Sequence, residues 1–331
     1  MGVTIKDIAD YCGVSAGTVD RALNNRPGIK EKTKKVVLEA ATKLSYRPDF
    51  TARGLAKGKT MTLGIVLFDL NNRSFAQLLN AVELKARENG YFTYVALTDK
   101  NPDNEKQCIE YLASHKVDGI ILFTVNHGEA FEEYLRGFSI PIITIFNYIS
   151  DNWEYVGIQE RAAMRDAVGH IIKKGYKKFI YICPPLKHSG KVNIYTQEER
   201  LQGFMEGLSL EGIEEKPLII INSQYLTELE KITFSKENKL AIICSCDLYA
   251  LEVMNFLKEK RINIPDDVGL MGFDNIDVLK YVTPKLTTVE YPVERIGTIA
   301  VESLILKIEK GNFLTKSCKS LDYKIIEGES I

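Results

Sequence analysis

Two periodicities divide the chain. In residues 3–44 apolar side chains recur at helical spacing: Ile5, Ile8 and Ala9, then Val19 and Leu23, then Val36, Val37, Ala40, Ala41 and Leu44. Three short helices are predicted. Thr4 precedes the first with Asp7 three residues on, a capping-box spacing. Gly13 can end it in the left-handed region without strain, and Ser15 can cap the second. A third helix is predicted over 31–44 and stops at Tyr46-Arg47-Pro48, because proline disfavours helical backbone at the residue before it. Asp49 can cap one more segment, Phe50 to Lys57, which is too short to persist in water unless a partner holds it.

From Met61 the pattern changes. Strands are predicted at 63–68, 91–97, 117–123 and 140–146, with a helix of about 16 residues from Ser74 and others at 103–115 and 131–137 between them. The alternation then starts afresh, with helices at 160–174, 197–211, 225–234 and 248–261 and strands at 177–183, 217–221, 239–245 and 267–273. Pro292 opens a helix that runs to Lys310, and 323–326 is a last strand. Apolar strands alternating with amphipathic helices imply parallel sheets covered on both faces. Two such runs imply two Rossmann-like subdomains, with ligands in a cleft outside the carboxyl ends of the strands. The expected layout is an all-α helix-turn-helix domain over 1–48, a short helix and linker over 49–60, and an α/β core over 61–331. Within the core, subdomain 1 takes about 61–158 plus 292–318, and subdomain 2 about 159–289 plus 319–331.

Charge sharpens this picture. Residues 1–60 carry 12 Lys and Arg against 6 Asp and Glu, and the rest 31 against 38, so a formal total of −1 hides a basic head on an acidic body. A basic head favours phosphates. The second helix turns Ala16, Gly17, Asp20 and Arg21 outward, and such a helix can enter a major groove with its N-terminal half against base edges.

Other classes are disfavoured. No secretory signal pattern opens the chain, and no 18-residue apolar run suits a membrane span. The six cysteines are scattered and suit buried thiols in a reducing compartment, so a cytoplasmic protein without metal or cofactor is expected. Phosphate-binding loops of the G-x-G-x-x-G or G-x-x-x-x-G-K-[ST] type are missing, and His115, His127, His170 and His188 have no metal-ligand spacing, which argues against an enzyme.

The chain resembles the LacI/GalR family of bacterial transcription regulators. The resemblance rests on 3–9 (Val-Thr-Ile-Lys-Asp-Ile-Ala), Gly13-Val14-Ser15, Thr18-Val19, Arg21-Ala22-Leu23-Asn24, Leu44-Ser45-Tyr46-Arg47-Pro48 and Ala52-Arg53-Gly54-Leu55-Ala56. In the core it rests on 117–121, on Glu199-Arg200-Leu201-Gln202-Gly203-Phe204, on 264–275 and on 283–289. It implies a periplasmic-binding-protein-like core and a dimeric repressor on a near-palindromic DNA operator, with no leucine-heptad tail to make a tetramer. Ala16, Gly17 and Arg21 would face bases, and Thr4, Ser15, Thr18 and Asn24 would lie against the DNA, the last three at phosphates. Segment 50–57 would be a hinge helix in the minor groove, where Ala52 lies and Leu55 wedges into a base step. Gly17 has no side chain to read a base, and Asp20 replaces a common serine.

In the cleft, the resemblance assigns effector contacts to Arg200 and Asp274, a donor fork and a hydroxyl acceptor that together suit a sugar. Phe75 and Tyr291 would offer rings, Asp69 and Asn147 end strands of the first subdomain, and Tyr225 comes from the second. Cys246 stands where asparagine is common, and a thiol hydrogen-bonds poorly. Two other readings stay open: a solute-binding protein without a DNA role, and a regulator that answers to a protein corepressor.

Overall fold

The computed structural model describes residues 3–47, 58–150, 152–185, 187–188, 192–193, 195–311 and 318–331. The chain forms two compact units, Met1–Thr60 and Met61–Ile331. Asp49, Ala52, Leu55 and the expected hinge helix lie outside the described residues.

The first unit holds α1 (Ile5–Cys12), α2 (Ala16–Leu23) and α3 (Glu31–Lys43). Its caps are those the sequence specifies. The Asp7 backbone N–H donates to Thr4 Oγ1 while the Thr4 N–H donates to the Asp7 carboxylate, which holds that carboxyl below its ordinary pKa. Gly13 ends α1 at φ 65°, and the Thr18 N–H donates to Ser15 Oγ. Ile8, Val19 and Val37 are fully enclosed in the small core these helices share. Val36, expected on the apolar face of α3, is exposed instead.

In the second unit the order is β1 (Thr62–Leu67), α4 (Arg73–Glu88), β2 (Phe92–Leu97), α5 (Pro102–Ser114), β3 (Gly119–Leu122), α6 (Glu129–Arg136), β4 (Ile142–Ile145) and β5 (Tyr155–Ile158). Then come α7 (Glu160–Lys173), β6 (Lys178–Cys183), the short β7 (Lys187–His188) and β8 (Val192–Asn193), α8 (Tyr195–Leu210), β9 (Leu218–Ile221), α9 (Tyr225–Leu229), β10 (Leu240–Cys244), α10 (Asp247–Glu259) and β11 (Gly269–Asp274). β12 (Thr287–Glu290), α11 (Val293–Lys310), β13 (Cys318–Leu321) and β14 (Lys324–Ile326) complete it.

Two six-stranded sheets result, ordered β13-β5-β4-β3-β1-β2 and β14-β12-β11-β10-β6-β9. All neighbours run parallel except β14, which is antiparallel to β12. The chain passes between the sheets after β5, after β12 and after β13. Strand β13 pairs with β5, so residues 319–321 belong to the first sheet and not, as expected, to the second subdomain. The hydrophobic pattern did not show this, because Cys318-Lys319-Ser320-Leu321 has no apolar run. Strands β5 and β12 were not predicted either; both are four residues long, near the lower limit at which a pattern can be read.

Helices α7 and α8 pack through glycine. A Cβ built on Gly203 would lie 2.2 Å from the Arg161 carbonyl oxygen, an atom that cannot rotate away. Gly203→Ala is therefore expected to cost about 1–3 kcal/mol. Gly169→Ala, on the same pair of helices but with its nearest neighbour at 3.4 Å, should be neutral or slightly stabilising. Denaturant titration of the two variants checks this, and equal stabilities would contradict the close approach.

Candidate ligand cleft and nucleic-acid surface

The carboxyl ends of both sheets open on one cavity of about 290 Å³. From the first sheet come Phe68 and Asp69 after β1, Phe123 after β3 and Phe146 after β4. From the second come Pro184 after β6, Cys246 after β10, Asp274 at the end of β11 and Tyr291 after β12. Such strand ends are where an open parallel sheet leaves a crevice. The start of α4 adds Asn72 and Phe75, α8 adds Thr196, Gln197 and Arg200, and α10 adds Leu248, Tyr249 and Glu252.

Arg200 is buried under this cavity. Its Nε donates to Glu160 at 2.7 Å, and one Nη donates to the Ser245 carbonyl at 2.6 Å and to Asp274 at 3.3 Å. Its guanidinium lies 3.7 Å from the centre of the Phe273 ring. Burial pushes the Glu160 and Asp274 carboxyls up, against the pull of the guanidinium between them, and their charges in turn raise Arg200. Asp274 also accepts from the Tyr291 hydroxyl at 3.0 Å and from Asn72 at 3.3 Å. It holds φ at 123°, a conformation costly for a residue with a Cβ, which persists because these partners fix it. Beneath it Asp247 accepts from the Ile276 N–H and the Thr288 hydroxyl, and burial together with the charge of Asp274 raises its pKa to about 7. A Cβ on Gly272 would strike the Asp247 carboxylate at 2.2 Å, so glycine there makes room for it.

The aromatic wall belongs to the first subdomain. Phe68 stacks on Phe123 with centroids 4.0 Å apart, and Phe75 meets Phe123 edge-on at 5.2 Å. Phe146 sits 5.3 Å from Phe123 and 5.9 Å from Tyr291, which links this wall to the acid floor.

Of the residues expected here, Asp69, Phe75, Arg200, Cys246, Asp274 and Tyr291 line the cavity. Asn147 does not. It is buried beside a second cavity of about 220 Å³, where its amide donates to the Thr124 carbonyl and accepts from the Thr196 N–H, strapping α8 to the first sheet. Tyr225 does not either. It is buried in the core behind the second sheet, and its ring props Tyr249, which does line the cleft, at 5.4 Å edge-on. Its helix α9 ends at Leu229, five residues earlier than expected. Sequence reasoning missed Glu160, Asn72, Tyr249 and Glu252. The first two read as ordinary helix-start residues, and Tyr249 with Glu252 shows only as an i, i+3 pair on α10.

On the other unit, Ser15, Ala16, Gly17 and Arg21 form one exposed edge at the start and middle of α2, with Thr18 half-buried. The Arg21 side chain has no partner among the described residues. The Asp20 carboxylate is held by Asn24 Nδ2 at 2.7 Å and by Arg26 at 3.0 Å, which neutralises a charge that phosphate would repel. The same bond occupies the Asn24 amide.

A family model for bacterial regulatory proteins of the lacI family matches residues 4–49, and one for a periplasmic binding protein-like domain matches 168–331. Catabolite control protein A of Priestia megaterium is 31% identical over 320 residues, covering 94% of each chain. The chain belongs to the LacI/GalR family. As a LacI/GalR protein it is a sequence-specific DNA-binding regulator and not an enzyme. A periplasmic binding protein/LacI transcriptional regulator from Alkaliphilus metalliredigens, solved with D-xylulofuranose, is 26% identical, covers 82% of this chain and 98% of its own, and has a TM-score of 0.69. The lac repressor dimer solved with operator and the anti-inducer ONPF shares the fold at a TM-score of 0.85 and 21% identity, covering 100% and 99% of the two chains. Among the described residues no helix is long and apolar enough to cross a membrane, and no cluster of His, Cys, Asp and Glu is placed to hold a metal ion.

Glu160 is the partner on which the floor of this cleft turns. Glu160→Ala leaves a guanidinium buried without its closest carboxylate and should cost about 3–5 kcal/mol. Adding Arg200→Ala to that variant should recover part of the loss, as coupled residues do. Denaturant titration of the single and double variants checks this, and strictly additive losses would contradict a paired floor.

Proposed function

We propose that the chain is a homodimeric cytoplasmic repressor that grips a near-palindromic operator and releases or tightens its hold when a sugar or similar small polyol enters the cleft. The observation that carries this reading is that the cavity belongs to both sheets and that bonds around it already join the two halves. Asn72 reaches Asp274, Arg73 makes a two-bond ion pair with Asp277, and Asn147 holds Thr196. A ligand that prefers one arrangement of the two halves shifts the balance between them by its differential affinity. A relative of known structure holding D-xylulofuranose supports a sugar.

Dimerisation is supported by β2. It is an edge strand, and it exposes Tyr94, Val95 and Leu97. An open edge with apolar side chains invites pairing, and natural proteins cover such edges. A second copy of the chain is the proposed cover.

The DNA roles are those the family resemblance implies, and the exposed edge of α2 supports the ones given to Ser15, Ala16, Gly17 and Arg21. Arg21 reads a guanine, the commonest specific contact for an arginine. Ala16 and Gly17 let the helix approach base edges closely. Thr4 lies against the DNA, Ser15 and Thr18 face phosphates, and Asn24 joins them once its amide leaves Asp20. Ala52 and Leu55 engage the minor groove between half-sites.

Selection of bound duplexes from a random DNA pool tests this reading. The expected product is two inverted half-sites. Enrichment of a lone half-site would contradict the dimer, and no enrichment would contradict the reading altogether. On the selected site Arg21→Ala should cost about 1–3 kcal/mol and relax preference at one base pair per half-site. A uniform loss across all sequences would instead make Arg21 a phosphate contact.

A further inference from the structure

The charges around the cleft say more about its ligand than its shape does. Two described cations line the cavity, and both are engaged. Arg200 is held between Glu160 and Asp274, and Lys100 lies 3.6 Å from Asp69. At the rim Arg73 is taken by Asp277 at 2.9 Å. Helix N-termini, the other common anion sites, carry either an amide partner or a first-turn acid. The Asn72 side chain caps α4, Asn147 accepts from the Thr196 N–H at the start of α8, and Glu160 and Asp247 place carboxylates in the first turns of α7 and α10.

Glu252 is the reverse case. It stands at the mouth, more than a third exposed, with no cation within ion-pair distance among the described residues. Acceptor capacity is therefore in surplus at Glu252, and among the described residues the outer oxygen of Asp274 is reached only by Asn72, at 3.3 Å. Opposite stands the apolar wall of Phe68, Phe75 and Phe123, suited to the C–H face of a ring. The volume, about 290 Å³, lies at the small end of ligand pockets.

We propose that the effector is an uncharged or amino-bearing sugar or polyol of monosaccharide size, and that the cleft discriminates against phosphorylated and carboxylated sugars. This rests on the cleft being the effector site. A donor-rich polyol satisfies the Glu252 carboxylate and can take the place of Asn72 on Asp274. Among the described residues a phosphate finds no unpaired cation, and it meets the Glu252 charge on the way in; like-charge juxtaposition of this kind suppresses wrong partners.

The test is calorimetric titration of the full-length protein with D-glucose, D-galactose, D-ribose, D-xylose and glucosamine, and with the matching sugar phosphates and uronates. A neutral or amino sugar should bind, and its anionic counterpart should bind at least about tenfold more weakly. Glu252→Gln should narrow that ratio by roughly threefold or more. A phosphate or uronate as the tightest ligand overturns the proposal while leaving the cleft as effector site. A ratio unchanged in Glu252→Gln overturns the part given to that residue. If no sugar of any charge binds a protein that still selects its operator, the effector reading falls together with the proposal.

Discussion

A buried guanidinium has no water to hold it, and the cleft is built around meeting that demand. Arg200 is 3% exposed. Its charge is met by carboxylates from the start of α7 and the end of β11, by a carbonyl from the turn after β10 and by the face of Phe273. Three separate segments of the second subdomain are thus fixed to one side chain. The positive φ of Asp274, the glycine at 272 and the Tyr291 hydroxyl are further consequences of the same arrangement. A buried ion pair is seldom the source of much net stability. Its value here is geometric, because it fixes Asp274 at the wall of the cavity.

From this floor the structure reaches across the cleft through few and weak bonds. The Arg73–Asp277 pair is exposed, and pairs of that kind are worth about 0–1 kcal/mol. The Asn72–Asp274 bond is long, and a single amide joins Asn147 to α8. One buried apolar cluster runs through both halves, while the hydrogen bonds and ion pair that join them beside the cleft can be traded for bonds to a ligand. A regulator needs that balance, since a ligand can move an equilibrium only as far as its affinities for the two states differ. The headpiece is a separate compact unit with its own core and caps.

Much of this was legible in the sequence, for identifiable reasons. Caps at Thr4, Gly13 and Ser15 are local chemistry, and local chemistry survives folding. The strand-helix alternation exposed both sheets, because parallel strands buried on two faces are continuously apolar. Arg200 and Asp274 stood out by family resemblance. Glu160 did not, because an acid at a helix start is ordinary and its partner is 40 residues away. Tyr225 was misplaced because the pattern cannot tell a ring that faces the cleft from one that supports such a ring. Asn147 was set in the ligand site by its strand end, whereas the left-handed backbone at Phe146 leaves the phenylalanine on the cavity and the amide turned to α8. The position of β13 depended on pairing over a long sequence separation, which no local pattern encodes.

The central claim is that cleft and operator are linked through one two-state molecule. The most direct measurement is the affinity of a cleft ligand for the free protein and for the protein saturated with its selected operator. The account predicts that the two affinities differ, by the same factor by which saturating ligand changes operator affinity, as thermodynamic reciprocity requires. Equal ligand affinities in the two states would contradict it, and would leave the cleft and the headpiece as two sites that merely share a chain.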